Sequence, residues 1–225
     1  MKRIVTDVIR SVNYNYRNGG LRQIGERIIS RFTQLFIDRT DYLIYQRTPG
    51  QPSGGAALAL RRDELTFEEL VELRYFKALY YPEGIRGRFQ AGERCHGFFL
   101  EDKLANIAWS TRDVLKVDPH LSIECADGVG IYDCWTMAEF RGRGIYPETL
   151  RMLLAMFEGE GYRNVLIAVD PDNIRSIKGI ERAGFLPLKR VKTTVRLGKR
   201  LVRSEPFSPR IGDGSATAPA TNPAP

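Results

Sequence analysis

The chain has 225 residues, 43% apolar and 27% charged, the balance of a globular protein with one core and room for extensions. No apolar run approaches the ~20 residues that span a bilayer, and Asp7 and Arg10 interrupt any signal-peptide core, so the chain reads as cytoplasmic. Three scattered cysteines and two histidines argue against a disulfide framework and a structural metal, while a net charge of +7 favours anionic partners.

Residues 1–47 carry nine Lys or Arg against four acids. Ile24, Ile28, Phe32, Leu35 and Phe36 recur at helical spacing, which predicts an amphipathic helix over 21–37. The Pro/Gly/Ser-rich stretch from Thr48 to Gly55 reads as a linker. Thr66 followed by Glu69 is a capping-box pattern, and the apolar residues after it extend a helix to about Tyr80, where Pro82 and Gly84 stop it. Gly97–Leu100 and Leu104–Thr111 predict a hairpin turning at Glu101–Lys103. Leu121–Cys125 and Gly128–Met137 read as two further strands. Pro147 fits the first turn of a helix whose inner face is Leu150, Leu153, Leu154 and Phe157. Asn164–Val169 reads as a buried strand and Asp170–Asp172 as a turn. A last helix carries Ile174, Ile177 and Ile180 inward and stops at Gly184; Arg190–Leu197 is a final strand. Residues 204–225, rich in Pro, Ser, Ala and Thr, read as a disordered tail. The order from residue 66 is that of an α/β protein built on one mixed sheet.

The chemistry concentrates where the strand Ile131–Thr136 passes through Arg141-Gly142-Arg143-Gly144 into the helix at Pro147. Glycines between a strand and a helix N-terminus leave approachable backbone N–H groups in the positive end of the helix dipole, a site for a pyrophosphate. No Lys-Ser or Lys-Thr follows, so this is no P-loop, and the third glycine of a dinucleotide fingerprint is missing.

Residues 129–185 resemble the core of the GNAT superfamily of acyl-CoA-dependent N-acetyltransferases. The family loop Arg/Gln-x-x-Gly-x-Gly/Ala is matched by Arg141-Gly142-Arg143-Gly144-Ile145-Tyr146. The family's downstream strand, Asn-x-x-Ala/Ser and Gly-Phe are matched by Val165–Val169, Asn173-Ile174-Arg175-Ser176 and Gly184-Phe185. The resemblance implies a GNAT fold, a central mixed β-sheet flanked by helices, with the strand reaching Met137 splayed from Val165–Val169 to admit acetyl-CoA. It implies cofactor contacts at Met137, Arg141, Gly142, Arg143, Gly144, Ile145, Tyr146, Asn173 and Ser176. Two positions depart from the pattern: Tyr146 stands where the family has Gly or Ala, and Ile180 where it often has a proton-donating tyrosine.

Direct attack by an amine on a thioester needs a route for the amine proton. Asp133, on the splayed strand between Tyr132 and Trp135, is the first candidate base, since such neighbours raise a carboxylate's pKa; its alternative is a structural pair with an arginine. Glu124 is second and His120 third. A Cys134 nucleophile working with His96 or His120 is disfavoured, because buried cysteines are inert. The chain divides into a basic helical extension (1–47), a linker (48–62), an acyltransferase domain (63–203) and a tail (204–225). The expected partners are acyl-CoA and a small amine; the alternatives are an acyl carrier protein as donor, received by the basic surfaces, or a weakly catalytic module that docks on a membrane or nucleic acid. The basic N-terminal helix adds an anionic membrane surface, at the inner face of the membrane, as a further expected partner. Nucleic acid is not expected, and a homodimer is compatible with the pattern. The long extension and the Ile-Tyr-Pro variant of the loop resemble members of bacterial surface-polysaccharide pathways, which implies an amino-sugar acceptor.

Overall fold

The computed structural model describes residues 37–48, 58–73, 82–118, 121–196 and 199–206. In chain order the elements are β1 (Ile37–Arg47), β2 (Arg61–Leu65), α1 (Phe67–Glu72), α2 (Pro82–Gln90), β3 (Arg94–Leu100), β4 (Lys103–Asp118) and β5 (Leu121–Thr136). A 3₁₀ turn (Ala138–Phe140), α3 (Ile145–Gly159), β6 (Asn164–Val169), α4 (Ile174–Arg182), β7 (Leu186–Arg196) and β8 (Lys199–Pro206) follow. The strands form one sheet in the order β2-β3-β4-β5-β6-β1-β7-β8. Every neighbouring pair is antiparallel except β5 and β6, which are parallel.

Both faces of the sheet are covered. α3 buries Leu150, Leu153 and Phe157, one stripe of its surface, against Val129, Ile131, Val165 and Ile167, and α4 adds Ile180 to the same cluster. On the other face α1 and α2 cover the β3–β5 half, with Leu70 and Ile85 packed on Cys95, Ile107 and Trp109. The remaining half is roofed by the far end of the β4–β5 hairpin, whose Leu115, Leu121 and Ile123 lie over Ile44, Leu166 and Val191. Register shifts along β4–β5 let that hairpin curl over. The approach is closest at Gly130, where a Cβ would stand 2.8 Å from that of Leu115.

Several expected boundaries move. Residues 37–47, assigned to the helical extension, are a strand inside the sheet, between β6 and β7. Leu43, Ile44 and Tyr45 are buried in succession, as in a strand covered on both faces. Residues 1–36 lie outside the described residues, so the amphipathic segment up to residue 36 does too. Arg61–Leu65, placed partly in the linker, is the strand at the β3 edge. The capping box at Thr66 forms in both directions: its Oγ1 accepts from Glu69 N at 3.3 Å, and its N–H donates to Glu69 Oε2 at 2.7 Å. The helix it opens is nevertheless described only to Glu72, and Pro82 opens α2 instead of ending α1. The first turn of a helix loses nothing to proline's missing N–H. Leu121–Cys125 and Gly128–Met137 are one strand to Thr136, bent at an irregularity in its pairing with β4 where Asp127 takes φ +51°. β7 starts at Leu186, and β8 runs on to Pro206, so the tail begins later than 204; residues 207–225 lie outside the described residues.

Candidate active site

The turn before α3 is anchored at both ends. Phe140 and Ile145 are buried against Ala105, and the residues between them are exposed. Gly142 and Gly144 adopt φ +77° and +76°, conformations that glycine reaches without strain. A Cβ on Gly142 would meet nothing within 4 Å, so a ligand can approach the backbone. Gly144 is the N-cap of α3 and offers no side-chain cap, and the first N–H groups of a helix have no acceptor within it. Arg141 donates from Nε to Thr136 O at 3.1 Å and lies over the Trp135 ring, 5.0 Å from its centroid. Arg143 lies 5.6 Å from the Phe140 centroid. Both cations therefore flank the turn without entering it.

β5 and β6 pair in parallel from Gly128–Asn164 to Ile131–Ile167, and there the pairing ends. Beyond it β5 continues to Thr136 and β6 to Val169, so the two strands part toward the glycine turn. On its other side β5 stays with β4, but Trp109 opposes Tyr132 while Ile107 opposes Trp135. Asp133 and Cys134 thus face the single residue Ala108, a β-bulge with Asp133 at φ +44°.

Tyr146 turns away from the turn. Its ring lies across Gly179 of α4, where a Cβ would collide with it, and its hydroxyl donates to the Cys134 sulfur. Burial is the main reason the Tyr146 and Cys134 pKa values are both pushed up. Asn173 caps α4, its Oδ1 accepting from Ser176 N at 3.2 Å. Met137 donates its amide to Ala105 O at 2.9 Å, and its side chain packs against the core.

The candidate bases separate. Asp133 lies at the parting of the strands, its Oδ2 2.6 Å from Arg88 Nη2 of α2. Glu124 is exposed near the opposite end of β5, opposite Val114, nine residues before Asp133 along a strand that bends between them. His120 lies outside the described residues. His96 is buried, with Nε2 2.9 Å from Ser110 Oγ and Nδ1 3.5 Å from Arg62 Nη1. Burial and the nearby Arg94 and Arg62 push its pKa down to about 3, so it is neutral and engaged, no base for Cys134. Among the described residues no cluster of His, Cys, Asp or Glu could hold a metal, and no helix is long and apolar enough to cross a membrane.

Residues 95–185 match the sequence model of the family described as "Acetyltransferase (GNAT) family". The chain has the GNAT fold. A solved GNAT-family acetyltransferase from Colwellia psychrerythraea is 14% identical, with a TM-score of 0.51 over 74% of this chain and 60% of that one. This chain therefore spans less than two thirds of that relative's length. An aminoglycoside acetyltransferase solved with coenzyme A and kanamycin is 15% identical over 66% of this chain and 95% of that one, with a TM-score of 0.49. A conserved protein of unknown function from Staphylococcus epidermidis is 10% identical over 75% of this chain and 66% of that one, TM-score 0.47. No curated protein matches.

Within this GNAT fold, β1 contributes what sequence reasoning missed. Tyr45 donates to Glu181 Oε1 at 3.0 Å, and Arg47 donates from Nη1 to Gly184 O at 2.7 Å. A buried cation thus closes the C-terminus of α4, where the dipole favours it. These two residues lie about 50 positions before the matched segment and hold in place the helix that Asn173 begins. Their signal was present as Tyr42-Leu43-Ile44-Tyr45, a β-prone run, but the surrounding charges matched a helical pattern as well.

Proposed function

We propose that this protein is an N-acyltransferase that moves an acetyl or other short acyl group from acyl-CoA to a primary amine by direct attack. One observation carries the reading: the strands part beyond Ile131–Ile167 at the same end of the sheet as the exposed glycine turn. That arrangement offers backbone groups along the gap for an extended pantetheine arm and N–H groups at a helix N-terminus for a pyrophosphate. The residues present fit such a donor. Gly142 leaves the turn open, and Tyr146, the bulky departure from the family pattern, is folded onto Gly179 out of the turn. Asn173 spends its carbonyl on the helix cap, which leaves its amide nitrogen to donate to the pantetheine, with Ser176 one turn further on.

The acyl carbonyl then lies beside the bulge at Asp133–Cys134. A bulge takes a residue out of the ladder, so its amide is available to a developing oxyanion. The attacking nitrogen must be an amine, not an ammonium, and Asp133 is placed to orient it or take its proton. Thiolate loss is less demanding. A CoA thiol resembles free cysteine, with a pKa of about 8.5, and leaves tolerably when water supplies the proton.

Titration with acetyl-CoA, and thioester consumption with a panel of amines headed by amino sugars, test the reading. Gly144→Glu is expected to weaken acetyl-CoA binding about a hundredfold, because juxtaposed like charges cost several kcal/mol. A folded Gly144→Glu protein with unchanged affinity would place the donor elsewhere.

A further inference from the structure

The sheet face that carries α2 holds a cation in a cage. Arg88 Nη2 stands 2.6 Å from Asp133 Oδ2, and the guanidinium carbon lies 4.9 Å from the Trp109 ring centroid and 5.1 Å from that of Tyr132. Two further contacts fix the walls. Tyr132 donates its hydroxyl to Glu93, and Phe89 packs edge-on against Trp109 at 5.3 Å. Trp109 is 1% exposed beneath this cover, whereas the Arg88 and Asp133 side chains keep 23% and 38% of their surface. Asp133 is the bulge residue, so the cage opens beside the gap between β5 and β6.

One carboxylate and two aromatic faces form a receptor for any cation of suitable size, and Arg88 is its resident one. Exchange replaces one cation by another on the same carboxylate and ring faces, and the long Arg88 side chain regains rotamers when released.

We propose that this cage is the ammonium subsite for the acyl acceptor, filled in cis by Arg88 until a primary alkylammonium displaces it. The inference rests on the acyl-transfer reading for the meaning of the site, but not for the binding. The acceptor class is then a cationic amine that arrives protonated and exchanges with Arg88 at Asp133.

The test uses the full chain without acyl-CoA. The protein has two tryptophans, so Trp135→Phe leaves Trp109 as the fluorescent reporter. n-Butylammonium is titrated against n-butanol at constant ionic strength. The ammonium is expected to perturb Trp109 saturably and the alcohol not. Arg88→Met, which keeps the apolar stem, is expected to tighten the apparent affinity about tenfold, the penalty a cage filled nine-tenths of the time imposes. Asp133→Asn is expected to weaken it by a similar factor. Unchanged or weaker ammonium binding in folded Arg88→Met overturns the proposal. Should that variant not fold, equal responses to butylammonium and butanol in the Trp135→Phe protein overturn it alone. Acetyl-CoA affinity, measured separately, reports on the donor site whichever way the cage behaves.

Discussion

The two sides of β5 are built from different materials. Toward α3 and α4 lies the half proposed for the donor, made of backbone: two glycines at positive φ, a helix end without a side-chain cap, and strands that part after Ile131–Ile167. Toward α1 and α2 lies the half proposed for the acceptor, made of side chains: Arg88, Glu93, Trp109, Tyr132 and Asp133, from four separate elements or turns. Backbone groups recognise what every acyl-CoA shares. Side chains recognise what differs between acceptors, so the acceptor half is where this chain would depart from others of the same fold.

The largest expected effect separates the halves. Asp133→Asn should lower kcat/KM with the true amine about a hundredfold, within the usual range for loss of a general base, while acetyl-CoA affinity stays unchanged. A parallel loss of donor affinity would show that the bulge belongs to both halves. Gly179→Ala strikes the donor half through packing, since the new Cβ collides with the Tyr146 ring. Overpacking of this kind costs up to about 3 kcal/mol, and thermal unfolding should show it together with weaker acetyl-CoA binding.

Acid reports on the sheet that both halves share. Folded His96 stays neutral down to about 3, whereas unfolded histidine takes its proton near 6.5. Between those values the unfolded state binds more protons, so stability is complete above pH 6.5 and falls as pH drops toward 3. From pH 6.5 to 5 the loss should be about 2 kcal/mol in urea unfolding, and His96→Asn should flatten that slope. The smallest effect is Thr66→Ala, which removes the cap of α1 and should cost about 1 kcal/mol without altering acetyl-CoA affinity.

Chain order alone determined the glycine turn before α3 and most of the α/β succession. The glycine turn, the helix face Leu150-Leu153-Phe157, the strand Asn164–Val169 and the Asn173 cap are each written within a few consecutive residues. Their geometry is local, a matter of φ angles, helical period and an adjacent cap, so spacing is enough to read them. Tertiary structure decided the rest. It put residues 37–47, grouped by sequence with the basic helical extension, into the middle of the sheet through pairing with β6 and β7. It also set Arg88 against Asp133, 45 positions on. Contacts between residues far apart in the chain depend on strand order, bulges and sheet curvature, which no local window of sequence contains.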